Sequence, residues 1–246
     1  MSAPEVLFVL AAALAAGGVN AIVGSGSLLT FPALLAVGYS PVTANVSNTV
    51  GLCFGNFSAV WGYRAELRGQ ERRAALLAAG AGAGAIAGGV LLLVLPSSVF
   101  DAIIPALILL ACLLMATQPN PRFHAISPRA RAAVLAPITF FAGVYAGYFG
   151  AAAGVILLAS MRLLIPERLQ RLNGAKNLMV GAANGVAALL FVIFAHVAFA
   201  AAGLIAVGSI AGAQLGSTYG RRIPDEVLRW VVVSVGTVVA IVLILD

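Results

Sequence analysis

The sequence predicts an all-α polytopic membrane protein with two inverted repeats, each a broken-helix hairpin followed by three transmembrane helices. Three observations predict this fold class: the composition, the length of the apolar runs and the distribution of the basic residues. Of the 246 residues, 62% are hydrophobic and only 9% are charged. An ordinary soluble domain carries about 25% charged residues. The composition therefore excludes a soluble enzyme, a disordered chain and a secreted disulfide scaffold.

The positive charge of the chain belongs to its loops. The formal net charge is +6, and such a value can indicate a nucleic-acid partner. Here the basic residues stand in short clusters between apolar runs, which is typical of cytoplasmic loops of membrane proteins. We therefore expect the lipid bilayer as a partner and no nucleic acid. Cys53 and Cys112 both lie inside apolar runs, so no disulfide framework is expected.

The apolar runs define the predicted elements in order. A helix needs about 20 apolar residues to cross the hydrocarbon core. The first repeat is predicted within 1–120, with a hairpin at 5–38 and helices at 42–62, 74–95 and 99–117. The second is predicted within 130–246, with a hairpin at 132–165 and helices at 174–195, 197–219 and 227–245.

Each predicted hairpin contains a break of small residues, at 24–27 (GSGS) and at 150–154 (GAAAG). The apolar stretch that follows the first break ends near Gly38 and would rise only about 18 Å as a helix, too little to cross the membrane alone. It could continue the preceding helix or return to the face from which that helix came.

Loop charge decides between these alternatives. The loops at 39–41, 96–98 and 195–198 contain no Lys or Arg. If each broken segment returns to its own face, all basic clusters share one face, as the positive-inside rule requires. Both termini are then extracytoplasmic, and the hairpins enter from opposite faces. The four clusters are Arg64, Arg68, Arg72 and Arg73; Arg122, Arg129 and Arg131; Arg162, Arg168 and Arg171; and Arg221, Arg222 and Arg229.

The two halves match at a nearly fixed offset, which indicates an internal repeat. Asn56 recurs as Asn184 and Pro96 as Pro224, each 128 residues on, whereas Gly24 meets Gly150 at an offset of 126. A unit of one hairpin and three crossings begins and ends on opposite faces of the membrane, so the second unit has the inverted orientation. Inverted repeats with discontinuous helices are typical of secondary transporters. The same offset relates two glycine ladders, predicted to be helix-packing faces: 80, 84 and 88, and 208, 212 and 216.

Polar residues at membrane depth are costly and mark candidate functional sites. Thr49 and Asn56 lie seven residues apart, so they share one helix face, and Asn177 and Asn184 repeat this spacing. Lys176, the only lysine of the chain, stands beside Asn177. The asparagines could instead bond neighbouring helices, and the lysine could extend to the cytoplasmic surface.

The breaks themselves predict an anion site. The first backbone N–H groups of a helix lack intrahelical partners and carry the positive end of its dipole, which favours anions. Two such ends together with Lys176 imply a small anionic substrate. No metal-ligand set is expected, and no cofactor. The predicted substrate-binding residues are Asn20, Gly24, Ser25, Gly26, Ser27, Asn48, Thr49, Asn56, Tyr148, Gly150, Ala151, Ala152, Ala153, Lys176, Asn177 and Asn184.

The same residues carry a family resemblance. The motifs are GVNAIVGSGSLLTFP at 18–32, ANVSNT at 44–49, GVYAGYFG at 143–150, and NGAKN at 173–177 with NGVAA at 184–188. On these motifs the chain resembles the TauE/SafE family of sulfite and organosulfur-anion exporters over nearly its whole length. The resemblance implies a permease of two repeats in the cytoplasmic membrane that moves sulfite, sulfonates or related anions, usually outward.

We therefore expect no enzyme but a secondary transporter that exports small anions such as sulfite or sulfonates. The anion would bind between the two breaks, and rocking of one repeat against the other would expose it to each side in turn. The expected localisation is the bacterial cytoplasmic membrane, and a homodimer stays open. The alternatives are an anion channel and, from another class, a membrane-embedded hydrolase that uses Ser25.

Overall fold

The computed structural model describes residues 1–116, 127–219 and 225–245, and in these ranges every regular element is a helix. The predicted all-α membrane fold class is confirmed. Some predicted features lie outside the described residues: the repeat boundary at 120, Arg122, Arg221, Arg222 and Pro224.

The helices are numbered in chain order. They are α1 (Ala3–Ile22), α2 (Ser27–Ala36), α3 (Pro41–Gly62), α4 (Arg64–Leu67), α5 (Glu71–Val94), α6 (Ser97–Ala116), α7 (Pro128–Tyr148), α8 (Ala153–Leu164), α9 (Leu169–Phe194), α10 (Phe199–Thr218) and α11 (Asp225–Leu245). Among the described residues, six helices are long and apolar enough to cross a membrane, in α1, α5, α6, α7, α9 and α10. At 22 residues α3 has the length as well, but asparagines lower its hydropathy.

Local sequence signals explain where the helices begin. Ser2 and Glu5 form a capping box at the start of α1, in which the Glu5 carboxylate accepts from the Ser2 N–H at 2.7 Å. Pro41 and Pro128 occupy the first turns of α3 and α7, where no N–H is needed. At the start of α7 the Ser127 hydroxyl accepts from a backbone N–H at 3.3 Å.

The chain folds back on itself between α1 and α2. An ideal Cβ placed on Gly26 would lie 2.5 Å from the carbonyl oxygen of Ala16. In one continuous helix these residues would be about 15 Å apart, so α2 returns along α1. The turn passes through Gly24, whose φ of +92° is in the left-handed region that favours glycine. The second break has the same feature at Gly150, with a φ of +77°.

The glycine ladders fix the directions of the helices. On α10, Gly208 packs against the carbonyl of Leu10, and Gly216 packs against the carbonyl of Gly18. Because the contacts advance together along both chains, α1 and α10 run parallel. The absence of a Cβ lets the two backbones touch, so the ladder is a helix-packing face, as predicted.

The other ladder makes matching contacts. On α5, Gly84 packs against the carbonyl of Phe140, and Gly88 packs against that of Val144, so α5 and α7 also run parallel. On α10 the partner of Gly212 is Leu14. The pair Leu14–Gly212 therefore corresponds to the pair Phe140–Gly84 at the sequence offsets of 126 and 128. The contacts of the two ladders therefore follow the sequence offsets of the two halves.

Loop contacts show which ends of the helices share a face. The Arg171 guanidinium donates to the carbonyl of Arg68 at 3.2 Å, and the Gln70 amide donates to the carbonyl of Arg171 at 2.9 Å. Two basic clusters therefore meet on one face of the bundle. On the other face, the Ala198 N–H donates to the Ser47 hydroxyl at 2.9 Å, which places an uncharged loop beside the start of α3.

This pairing of loops defines the path of the chain. Helices α5 and α6 cross the bundle twice between the two basic loops, so α7 and α8 together must enter and leave by the same face. Helix α1 runs parallel to α10 and therefore enters from the opposite face, to which α2 returns before α3 begins. The two broken segments are hairpins that approach each other from the two faces of the bundle.

Candidate functional site

The two helix breaks meet inside the bundle. An ideal Cβ on Gly24 would lie 2.6 Å from the Cα of Gly154, and one on Gly154 would lie 2.6 Å from the Cα of Gly24. Both residues are buried. No side chain fits between them, so the sequence needs glycine at both positions for the hairpins to touch. The structure thus brings together the two regions that the sequence predicts as one site.

The predicted site residues Lys176 and Asn177 bind the end of α1. The Lys176 ammonium donates to the carbonyls of Asn20 at 3.0 Å and Ala21 at 3.1 Å, and the Asn177 amide donates to the Ala21 carbonyl at 3.0 Å. A helix leaves its last carbonyls unsatisfied and carries partial negative charge there. A cation and an amide from α9 therefore stabilise the point at which α1 stops.

The lysine does not extend to the cytoplasmic surface. Its side chain is fully buried, with 0% exposure, among the largest buried side chains of the described protein. The surface-anchor alternative for Lys176 is therefore wrong, because the carbonyls of the broken helix supply acceptors inside the bundle.

The end of α7 has its own amide partner, from the other half of the chain. The Asn45 amide of α3 donates to the carbonyl of Tyr148, the last residue of α7, at 2.9 Å. Sequence reasoning missed Asn45, although it stands 128 residues before Asn173 and so repeats the offset of the halves. Helix α3 thus binds the broken end of α7 as α9 binds that of α1.

At the first break, three predicted residues form a chain of hydrogen bonds. The N–H of Gly26, at the start of α2, donates to Oδ1 of Asn20 at 3.3 Å. The Asn20 Nδ2 donates in turn to Oδ1 of Asn56 on α3. All three residues are buried. These contacts join the two arms of the hairpin to α3 at the point where the backbone turns.

Thr30 is a residue of this break that sequence reasoning missed. Its hydroxyl donates to Oδ1 of Asn48 and lies 3.4 Å from the carbonyl oxygen of Gly26. It is 0% exposed on the short arm α2. The available signal was its polarity at membrane depth, one helical turn after Ser27.

Several buried polar atoms at the two breaks have no hydrogen-bond partner within the described chain. They include Nδ2 of Asn48, Nδ2 of Asn56 and the hydroxyl of Tyr148. Asn48 and Asn56 are 0% and 1% exposed. A buried donor without an acceptor costs about 1–3 kcal/mol, so in a native structure such a donor calls for an explanation. Amide donors are the groups that a small anion would satisfy.

Two further predicted residues, Thr49 and Asn184, are buried close to these contacts. Asn184 lies one turn from Gly181, where α9 passes α3 close to Asn56, and Thr49 is adjacent to Asn48. The second break offers backbone and methyl groups only, at Ala151, Ala152 and Ala153, where the first has serines. The polar side chains of the site therefore come chiefly from the first break and from α3 and α9.

This geometry defines the class of the protein: a polytopic membrane protein whose discontinuous helices meet at a buried polar site, an arrangement typical of secondary transporters. The family follows from comparison with known sequences. The family model described as "Sulfite exporter TauE/SafE" matches residues 9–243. The chain belongs to this family.

Curated relatives are named as probable membrane transporters. The chain is 26% identical over 243 residues to "Probable membrane transporter protein ORF9" of Sinorhizobium sp, covering 97% of this chain and 92% of that protein. It is 28% identical over 242 residues to "Probable membrane transporter protein YfcA" of Escherichia coli K12, covering 95% of this chain and 87% of that one. No solved structure shows a significant match.

Proposed function

We propose that this transporter exports a small oxyanion, such as sulfite or a sulfonate, across the bacterial cytoplasmic membrane by alternating access. The observation that carries the proposal is the pair of buried amide donors of Asn48 and Asn56 at the first break. The family to which the chain belongs is described as a sulfite exporter, which supports the same class of substrate. The proposal requires no enzymatic step.

The binding site that we propose uses three kinds of positive group. The Asn48 and Asn56 amides donate to the oxygens of the anion, and the start of α2 supplies the positive end of a helix dipole. The Lys176 side chain supplies a full charge, with its Cδ 3.2 Å from an ideal Cβ on Gly24. The site lies where both hairpins end, so either face of the membrane is reached by moving one hairpin.

We base the proposed movement on the packing of the hairpins. Helix α1 packs most extensively on α10, and α7 on α5, so the first arm of each hairpin is seated on the opposite half of the chain. Rocking of one whole half against the other would separate these backbone contacts. We therefore propose that the hairpins move relative to α3 and α9, whose asparagines and lysine hold the broken ends.

We propose that the basic face is cytoplasmic and that both termini are outside. Two exposed positions on the uncharged face, Ser40 and Ser97, test this in a variant whose buried cysteines Cys53 and Cys112 are replaced. We expect Ser40→Cys and Ser97→Cys to react with a membrane-impermeant maleimide from outside intact cells. The exposed control Arg72→Cys should react only after the cells are opened. Reaction of Ser40→Cys solely in opened cells would overturn the topology.

Transport into proteoliposomes tests the function. We expect saturable uptake, accelerated by the same anion on the opposite side, for members of a panel of sulfite, sulfate, sulfoacetate, taurine and carboxylates. Linear flux without counterflow would favour the channel instead. Absence of flux together with a hydrolytic activity that Ser25→Ala removes would favour the hydrolase.

A further inference from the structure

The hydrogen bonds at the first break have a fixed direction because a backbone group sets the first of them. The Gly26 N–H is only a donor, so the Asn20 atom that it contacts at 3.3 Å must be the carbonyl oxygen. The other end of the Asn20 amide is then its nitrogen, which donates to Oδ1 of Asn56. The Asn56 amide is consequently left with its nitrogen, a donor, as its open group.

Each acceptor of this cluster already accepts a hydrogen bond. Oδ1 of Asn20 and Oδ1 of Asn56 each accept one bond, and Oδ1 of Asn48 accepts from the Thr30 hydroxyl. The Gly26 carbonyl accepts from the N–H of Leu29 at 2.9 Å. Unpartnered side-chain oxygens do occur elsewhere, on Asn45 and Asn173 for example, but outside this hydrogen-bonded cluster. The open groups of the cluster are two N–H donors.

We infer that Asn20 is a positioning residue that fixes Asn56 as a donor, so that the first break selects oxyanions without a proton over oxyanions that carry an O–H group. The inference rests on the proposed anion transport. A sulfonate presents oxygen acceptors alone, and both amides can donate to it. Bicarbonate and dihydrogen phosphate also carry O–H groups, which cannot pair with an amide donor and would have to share an acceptor that already accepts a bond.

Substitution of Asn20 by aspartate tests the direction of the chain. A carboxylate at this position still accepts from the Gly26 N–H, but its second oxygen can only accept as well. The Asn56 amide must then turn its nitrogen toward residue 20 and present its oxygen at the break. We expect the wild-type protein to prefer methanesulfonate over bicarbonate and dihydrogen phosphate by at least about tenfold. We expect Asn20→Asp to abolish that preference.

The measurement is competition for uptake of labelled methanesulfonate into proteoliposomes, with the three unlabelled anions as competitors. The ratio of inhibition constants does not depend on the amount of active protein. Asn56→Asp keeps the acceptor for Asn20 but lacks the donor, so it should lose the preference too. This second variant tests the inference if Asn20→Asp does not fold. Gln214→Glu makes the same chemical change on α10, where the side chain contacts Ser58, and should keep the wild-type ratio.

The outcomes separate the two proposals. Saturable anion transport without discrimination in the wild-type protein, or full discrimination in both Asn20→Asp and Asn56→Asp, overturns the inference and leaves anion transport standing. Absence of saturable flux for every anion of the panel overturns both. Loss of discrimination in these two variants, with an unchanged ratio in Gln214→Glu, supports Asn20 as the residue that fixes Asn56 as a hydrogen-bond donor.

Discussion

Substitution of Gly24 by alanine should abolish transport and lower the stability of the folded protein. Two effects add at this position. The φ of +92° is strained for any residue with a Cβ, at a cost of about 1–2 kcal/mol. The added Cβ would also lie 2.6 Å from the Cα of Gly154, and overpacking of this kind costs about 1–3 kcal/mol. Since the contact is between two backbones, no flexible side chain can move aside.

The matched control for this variant is Gly38→Ala. Gly38 has nearly the same conformation, with a φ of +89°, but an ideal Cβ there would meet nothing within 4 Å. We expect it to show the strain alone, with a small loss of stability and normal transport. Thermal unfolding in detergent and uptake into proteoliposomes measure the two effects. Equal behaviour of the two variants would show that the contact between the breaks is unimportant.

Gly24 also illustrates what the sequence could predict. A run of small residues inside a segment too short to cross a membrane indicates a break, and the charges of the loops indicate that the chain turns back there. Both signals are local or depend only on counting basic residues. The contact between Gly24 and Gly154 is not local, because it joins residues on separate hairpins. The repeat could suggest that the two breaks lie in the same region, but it could not predict that the two backbones touch.

The hydrogen-bond partners of the site were beyond sequence reasoning for the same reason. Asn45 and Tyr148 are 103 residues apart in the chain, and Lys176 and Asn20 are 156 apart. Their pairing depends on how α3 and α9 pass the broken ends, which periodicity does not encode. The sequence predicted Lys176 and Asn20 as functional candidates only because polar residues at membrane depth are energetically costly. It could not say that the ammonium would bind carbonyls of α1.

The polar groups of the two breaks differ more than the repeat suggests. An offset of 126 places Ala146 opposite Asn20, and Ala151 and Ala153 opposite Ser25 and Ser27. The backbone turns are alike, with a positive φ at Gly24 and at Gly150. A repeat can keep its packing residues while its polar residues diverge, since glycine contacts are needed in both halves and a single site needs only one set of donors. The symmetry of the fold therefore does not predict a symmetric site.

We expect Lys176→Met to reduce the rate of anion transport at least about a hundredfold. Methionine keeps much of the length and apolar stem of lysine but offers no donor and no charge. The carbonyls of Asn20 and Ala21 would lose their bonds to the ammonium, and hydrogen bonds to charged groups contribute about 1.5–3 kcal/mol each. The Ala21 carbonyl would keep the Asn177 amide. We therefore expect a folded but destabilised protein.

Two further variants divide the role of this lysine. Lys176→Gln restores a donor for the α1 carbonyls without the charge, so it should recover thermal stability while transport stays low. Recovery of both would mean that Lys176 acts only by holding the end of α1 in place, and the anion would then depend on the amides of Asn48 and Asn56. The matched control Arg72→Met removes an exposed cation from the start of α5 and should leave saturable uptake unchanged. Wild-type flux in Lys176→Met would show that transport does not depend on this residue.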